Sequence, residues 1–302
     1  MAKMIDQYLA ELRGELAGAD PALVQDALYD AEEYLRTEMA EVPEAEREAR
    51  WSEVVERYGT PDEVATAYRE AEITVAMGLR PVQAPPSERR GLVSSFFGVL
   101  ADPVAYGALF YLFLSFFTGI VYFTFVATML GLGIGLLPVF VGSLILLLFF
   151  AMVRAIALAE GRMIEGLLGV RMPRRPRSML REGDVAERLK HWFTDRRTWT
   201  SVLYLVLQLP LGVTYFSVMV SAIATSLAAI VAPIAQALTG EVMIRMDGYG
   251  YLLEPWAIPL VVLAGALGLI VTLHLGRGIG KLHGAYAKAM LVGRYSDTAD
   301  AA

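Results

Sequence analysis

Residues 102–129 read DPVAYGALFYLFLSFFTGIVYFTFVATM, and residues 195–221 read DRRTWTSVLYLVLQLPLGVTYFSVMVS. At an offset of 93 the two stretches align without a gap. Asp102 matches Asp195, and Tyr106 meets Trp199. Tyr111, Leu112 and Leu114 match Tyr204, Leu205 and Leu207. Gly119-x-x-Tyr122-Phe123 matches Gly212-x-x-Tyr215-Phe216. Identities that include Gly and Tyr at fixed positions do not come from Leu-rich composition alone. Each copy is long and apolar enough to span a bilayer, which needs ~20 residues. The sequence therefore predicts an internally duplicated membrane unit.

Composition agrees. The chain is 56% hydrophobic, and its mean hydropathy is +0.48. Both are high for a soluble globular chain. It has no cysteine, which excludes disulfides, thiolate nucleophiles and Cys-ligated zinc. The net charge of −6 hides a split. Residues 1–90 carry ten Lys and Arg against twenty Asp and Glu, and the remainder carries sixteen against twelve. An acidic front region is unsuited to direct contact with nucleic acid. It also does not suit lying flat on anionic lipid. The N-terminus MAKMIDQY lacks the apolar core of a signal peptide, so the front region is expected on the unexported side.

Four amphipathic helices are expected before residue 78. Ile5, Tyr8, Leu9, Leu12 and Leu16 fall at helical spacing, and Gly18 closes that segment. Asp20-Pro21 is an N-cap followed by proline at the first helical position. Val24, Ala27, Leu28, Ala31, Tyr34 and Leu35 then share a face. Trp51, Val54, Val55 and Tyr58 form a third face, ended by Gly59. Thr60-Pro61-Asp62-Glu63 is a capping box, followed by Val64, Ala67 and Tyr68. Residues 26–35 (DALYDAEEYL) and 58–65 (YGTPDEVA) resemble the HAAS domain, a cytosolic helical module of bacterial membrane proteins. That resemblance implies a cytosolic protein partner, with a PadR-like transcription regulator as the candidate.

Four spans are expected, at roughly residues 105–130, 136–158, 199–230 and 256–276. Arginine crowds the segment between spans two and three, from Arg154 to Arg197. Arg277, Lys281, Lys288 and Arg294 follow span four. The other side offers Arg245. The positive-inside bias places both termini and the central loop in the cytoplasm. The second span of each pair is also duplicated: residues 154–161 (RAIALAEG) align with 277–284 (RGIGKLHG). Both halves enter from one side, giving a parallel repeat with a pseudo-twofold axis near the membrane normal. Residues 91–101 and 184–194 are expected to be short interfacial helices that lead into a span. The second half carries an insertion, residues 240–256. There Val242, Ile244 and Met246 alternate, Asp247-Gly248 signals a turn, and Tyr249 and Tyr251 alternate back, which predicts a short extracytoplasmic hairpin.

The expected fold is thus an all-α membrane protein: a helical bundle (1–77), a linker (78–90), a first membrane repeat (91–194) and a second (195–302). The repeat residues D-P-x-x-Y-x-x-L-x-Y-L and G-x-x-Y-F, with D-R-R-T-W-x-x-x-L-Y-L and P-L-G-x-x-Y-F in the second half, resemble the sensor domain found ahead of histidine kinases in actinobacteria. That resemblance implies signal transduction rather than catalysis.

The residues give catalysis little support. His274 and His283 are nine apart without a third ligand, and no nucleophile elbow, P-loop or zincin motif occurs. No cofactor or metal is expected. Asp102 and Asp195 start the first span of each half, while Arg154 and Arg277 end the second. The expectation is pairing within each half, Asp102 with Arg154 and Asp195 with Arg277, beside simple N-capping by each aspartate. Tyr111, Thr118, Tyr122, Tyr204, Gln208 and Tyr215 could line a ligand cleft between the halves, or anchor and hydrogen-bond the helices. Asp26, Asp30 and Glu33 lie at i, i+4 and i+7 and offer a basic partner one acidic face, or form a solvated one. The expected partners are membrane lipid, a cytosolic protein and a second copy of the chain, without direct nucleic acid. The function expected is that of a bacterial inner-membrane sensor or regulator. A small transporter or membrane subunit of a transport complex is the alternative, and would need a polar path through the spans.

Overall fold

The computed structural model describes residues 2–40, 42–79, 92–175, 193–242, 244–246 and 249–292. The front bundle comprises α1 (Ala2–Glu15), α2 (Pro21–Met39), α3 (Arg47–Tyr58) and α4 (Pro61–Leu79). The Ala22 amide donates to Asp20 Oδ1 at 2.9 Å, capping α2 ahead of Pro21. Gly59 ends α3 at a φ of 109°, which a side chain would strain. Its carbonyl accepts from the Tyr8 hydroxyl at 2.8 Å. Ile5, Leu12, Leu16, Leu35, Met39 and Val54 make a closed core. Ala67 is exposed, and Ala65, two residues earlier, takes the inward place on α4.

Four helices are long and apolar enough to cross a membrane: α6 (Pro103–Gly135), α7 (Val141–Leu168), α8 (Arg196–Thr239) and α9 (Ala257–Leu291). They outrun the expected spans. α8 holds 44 residues, about 66 Å at 1.5 Å per residue, against a hydrocarbon core of about 30 Å. Before α6 lies α5 (Leu92–Phe97) and a 3-10 turn, an interfacial-helix candidate. Most of its counterpart in residues 184–194, and the linker beyond Leu79, lie outside the described residues. One lead-in contact is nonetheless duplicated. Tyr106 donates to the Leu100 carbonyl at 3.0 Å, and Trp199 donates to the Phe193 carbonyl at 2.8 Å.

The insertion forms a two-stranded hairpin. β1 (Ile244–Met246) pairs antiparallel with β2 (Tyr249–Tyr251), Ile244 opposite Tyr251. The Asp247-Gly248 turn itself lies outside the described residues. Gln236 pins the hairpin's exit to α8, donating to the Leu253 carbonyl at 2.8 Å and accepting from its amide at 3.1 Å.

The centre of the membrane unit is the crossing of α6 and α8. A Cβ on Gly119 would lie 2.7 Å from the Gln208 carbonyl oxygen, and one on Gly212 would run into the Ser115 carbonyl oxygen. Gly119 and Gly212 are repeat equivalents, as are Ser115 and Gln208. Exchanging the halves maps one contact onto the other, so the crossing is reciprocal about a pseudo-twofold axis. Glycine permits this backbone approach, a common device where helices pack without a hydrophobic driving force.

Candidate functional site

On the pseudo-twofold axis lies a cluster of buried polar side chains. Tyr111 and Tyr204, equivalent in the repeat, bring their hydroxyls within 3.4 Å of each other. Between them sits Glu160 of α7, which has no exposed surface. Its Oε1 accepts from Tyr111 at 2.5 Å and Tyr204 at 3.0 Å, and its Oε2 accepts from Tyr122 at 2.7 Å. His283 of α9 faces the same hydroxyls, its Nε2 at 2.7 Å from Tyr111 and 3.1 Å from Tyr204. Its Nδ1 lies 3.3 Å from the Tyr215 hydroxyl.

A proton count orders this network. Three phenols donate to an acceptor-only carboxylate. Tyr111 and Tyr204 have then spent their protons, so the His283 Nε2–H donates to their oxygens. Nδ1 is left as an acceptor for Tyr215. This arrangement, with the imidazole carrying its proton on Nε2, serves the contacts of Glu160 and His283, and the 3.4 Å approach of the Tyr111 and Tyr204 hydroxyls to each other is left without a proton. Gln208 adds a donor to Tyr111 at 3.4 Å, while its own Oε1 is buried without a hydrogen-bond partner.

Glu160 and His283 are themselves equivalents, each six residues beyond Arg154 or Arg277. Each faces its own half's outer tyrosine, Tyr122 or Tyr215, and both share Tyr111 and Tyr204. The ionisable residues that sequence reasoning passed over are therefore the centre of the site. Of the six cleft candidates, Tyr111, Tyr122, Tyr204, Gln208 and Tyr215 meet here, packed among side chains. Thr118 stands apart, half-buried, donating to the Ser115 carbonyl.

The aspartates both cap helices and pair with arginines. Asp102 accepts from the Val104 amide and Asp195 from the Arg197 amide, each at 3.0 Å. The pairing differs from the within-half expectation. Arg277 lies 3.0 Å from Asp102, and Arg154 lies 3.7 Å from Asp195. Each half's second helix ends beside the start of the other half's first helix, so the ion pairs cross between halves.

Residues 111–291, more than half of the chain, match a family model described as "Putative sensor". The chain belongs to this sensor family. Residues 7–67 match the HAAS family. No curated protein and no solved structure matches the chain. Both matched families are non-catalytic kinds of domain, and with four candidate spans they mark a membrane sensor or regulatory protein.

The HAAS bundle is tied to the sensor unit beside the ends of α7 and α9. Asp26 Oδ1 accepts from the Arg174 and Arg175 amides, both at 2.8 Å, and Oδ2 pairs with Arg171 at 3.0 Å. Burial raises the Asp26 carboxyl above its ordinary value, against the opposing pull of the two amides and Arg171. Asp30 pairs with Arg175 at 2.8 Å and is steadied by the Tyr68 hydroxyl at 2.7 Å. Burial, with Asp30 beside it, holds that phenol far above its usual range. Lys288 of α9 pairs with Asp20. Asp26 and Asp30 thus meet basic residues of their own chain, while Glu33 is exposed.

Proposed function

We propose that this protein is a non-enzymatic regulator of a bacterial inner membrane, in which the sensor unit registers an envelope condition or lipophilic ligand and the HAAS bundle reports it to a cytosolic protein. The observation that carries the reading is the seat of Asp26 on residues 171–175. That segment follows α7 directly and belongs to the connection between the two halves. A shift of one half against the other moves it, and the bundle rides on it. The acidic face engaged there is the face a basic partner segment would use, so docking and partner binding compete. A two-state element of this kind is what a ligand can bias. The arginine-rich connection favours placing both termini in the cytoplasm, and a PadR-like transcription regulator is the partner class that the HAAS match supports.

The test compares the full chain, tagged at its C-terminus, with Asp26→Asn and with a chain lacking residues 2–79, crosslinked in native membranes. A cytosolic regulator captured by the full chain, enriched by Asp26→Asn and lost with the deletion, is the expected result. The same integral membrane partners with all three would instead favour a subunit of a transport complex.

A further inference from the structure

A cavity of about 240 Å³ lies where the HAAS bundle meets the sensor unit, between α7, the start of α8 and the end of α9. Ala151, Ala155 and Leu158 wall it from α7, Met172 and Pro173 from the following segment, and Gln25 from the HAAS bundle. Arg154, Arg197, Thr198 and Ser201 supply its polar side, together with Asp195. Gln25 also donates to the Arg175 carbonyl at 2.9 Å. An occupant would touch both the membrane unit and the docking segment.

The other half shows what this place looks like when filled. The repeat equivalent of Ala151 is His274, which stacks on Phe96 at 5.4 Å and bonds to its carbonyl oxygen at 2.9 Å. Val99, Ala105, Ile270 and Leu273 close around that pair. The equivalents of Arg197, Thr198 and Ser201 are Val104, Ala105 and Ala108. One side is therefore plugged by a stacked Phe–His pair. The other has Ala151 in place of His274, and one further guanidinium group, that of Arg197, with two hydroxyls in place of apolar side chains, while Arg154 has its counterpart in Arg277 and the equivalent of Phe96, Leu189, lies outside the described residues. The ion pair differs in the same sense, 3.0 Å on the plugged side and 3.7 Å where both partners line the cavity.

We infer that this cavity binds an anionic amphiphile, with its phosphate or carboxylate on Arg154 and Arg197 and its chain against Ala151, Ala155 and Leu158. Guanidinium groups match such oxyanions in charge and geometry, and basic pockets between membrane helices suit lipid head groups. The volume, below that of a drug-sized site, admits the head and the first part of a single chain. The hydroxyls of Thr198 and Ser201, now donating to Asp195 Oδ2 and the Arg197 carbonyl, can rotate towards the head group. The inference deepens the proposed function by giving its lipophilic signal a chemical class and a place beside the docking segment.

The test uses the full-length protein in phosphatidylcholine nanodiscs with radiolabelled dodecyl phosphate as the probe. Ala151→Phe, which fills the cavity, should weaken binding about tenfold or more. Arg197→Gln, which adds no bulk, should do likewise, and it keeps the test decisive if Ala151→Phe fails to fold. His274→Ala, on the plugged side, should bind as the wild type does. Adding phosphatidylglycerol to the nanodiscs separates the two sources of this chemistry: displacement of the probe marks a bilayer lipid as occupant, and its absence marks a free amphiphile. Equal binding by the wild type, Ala151→Phe and Arg197→Gln would overturn the inference, as would equal binding of dodecyltrimethylammonium. Tryptic cleavage at Arg171 and Arg174 reports docking separately. Binding that leaves cleavage unchanged keeps the site and removes its link to the HAAS bundle.

Discussion

At the crossing of α6 and α8 the two halves treat each other alike: Gly119 meets the Gln208 carbonyl as Gly212 meets that of Ser115. On the flanks, where α7 reaches the start of α8 and α9 reaches the start of α6, they do not. Phe96 and His274 plug one flank, and a cavity with two arginines opens at the other. A backbone-to-backbone contact on an axis tolerates no divergence, because any added atom meets an immovable carbonyl. A flank is bounded by side chains, and each half can change there alone. The Tyr–Glu–His cluster lies between these extremes. Its shared tyrosines are identical, while its partners have separated into a carboxylate and an imidazole.

The sharpest way to break this comparison is Glu160→Leu. It leaves three buried phenols without their acceptor and should cost about 4 kcal/mol, read from chemical unfolding in detergent micelles. A loss below ~1 kcal/mol would mean the tyrosines find other partners. Next come Gly119→Ala and Gly212→Ala, each expected to cost about 3 kcal/mol and to match the other closely. Unequal losses would deny the axis. Gly278→Ala, with nothing within 4 Å of the new methyl, should instead stabilise by about 0.5–1 kcal/mol. Asp26→Asn keeps an oxygen for the two amides but loses the Arg171 ion pair. It should weaken docking by roughly 1–2 kcal/mol, seen as faster tryptic cleavage at Arg171. Smallest is Asp20→Asn, which removes the half-exposed pair with Lys288 and should change docking by about 0.5 kcal/mol.

Much of the fold was legible because its signals are local. The Asp20-Pro21 cap, the Thr60–Glu63 box and the alternation from Ile244 to Tyr251 each act within a few residues. The offset of 93 likewise exposed the aspartate caps and the glycine crossing positions. The pairing of Asp102 and Asp195 was not legible in that way. Repeat alignment says which residues are equivalent, but not whether an arginine meets its own half or the other. Ala67 was misplaced for a smaller reason: its periodicity fits nearly as well as that of Ala65, and packing against α1 decides. Glu160 and His283 stood in plain view, aligned within RAIALAEG and RGIGKLHG. An ionisable residue at the same place in both apolar repeats was the available signal.

The crossed ion pairs carry a consequence for ancestry. Contacts that map onto themselves when partners are exchanged are those a symmetric dimer makes, residue i with j and j with i. A gene encoding a single half would have built this unit from two identical chains, each aspartate capping its own helix and holding its neighbour's arginine. Joining the copies in one chain released every off-axis position from serving two places at once. Ala151 and His274, or Glu160 and His283, could then part company by single substitutions that an identical pair would have been forced to make twice.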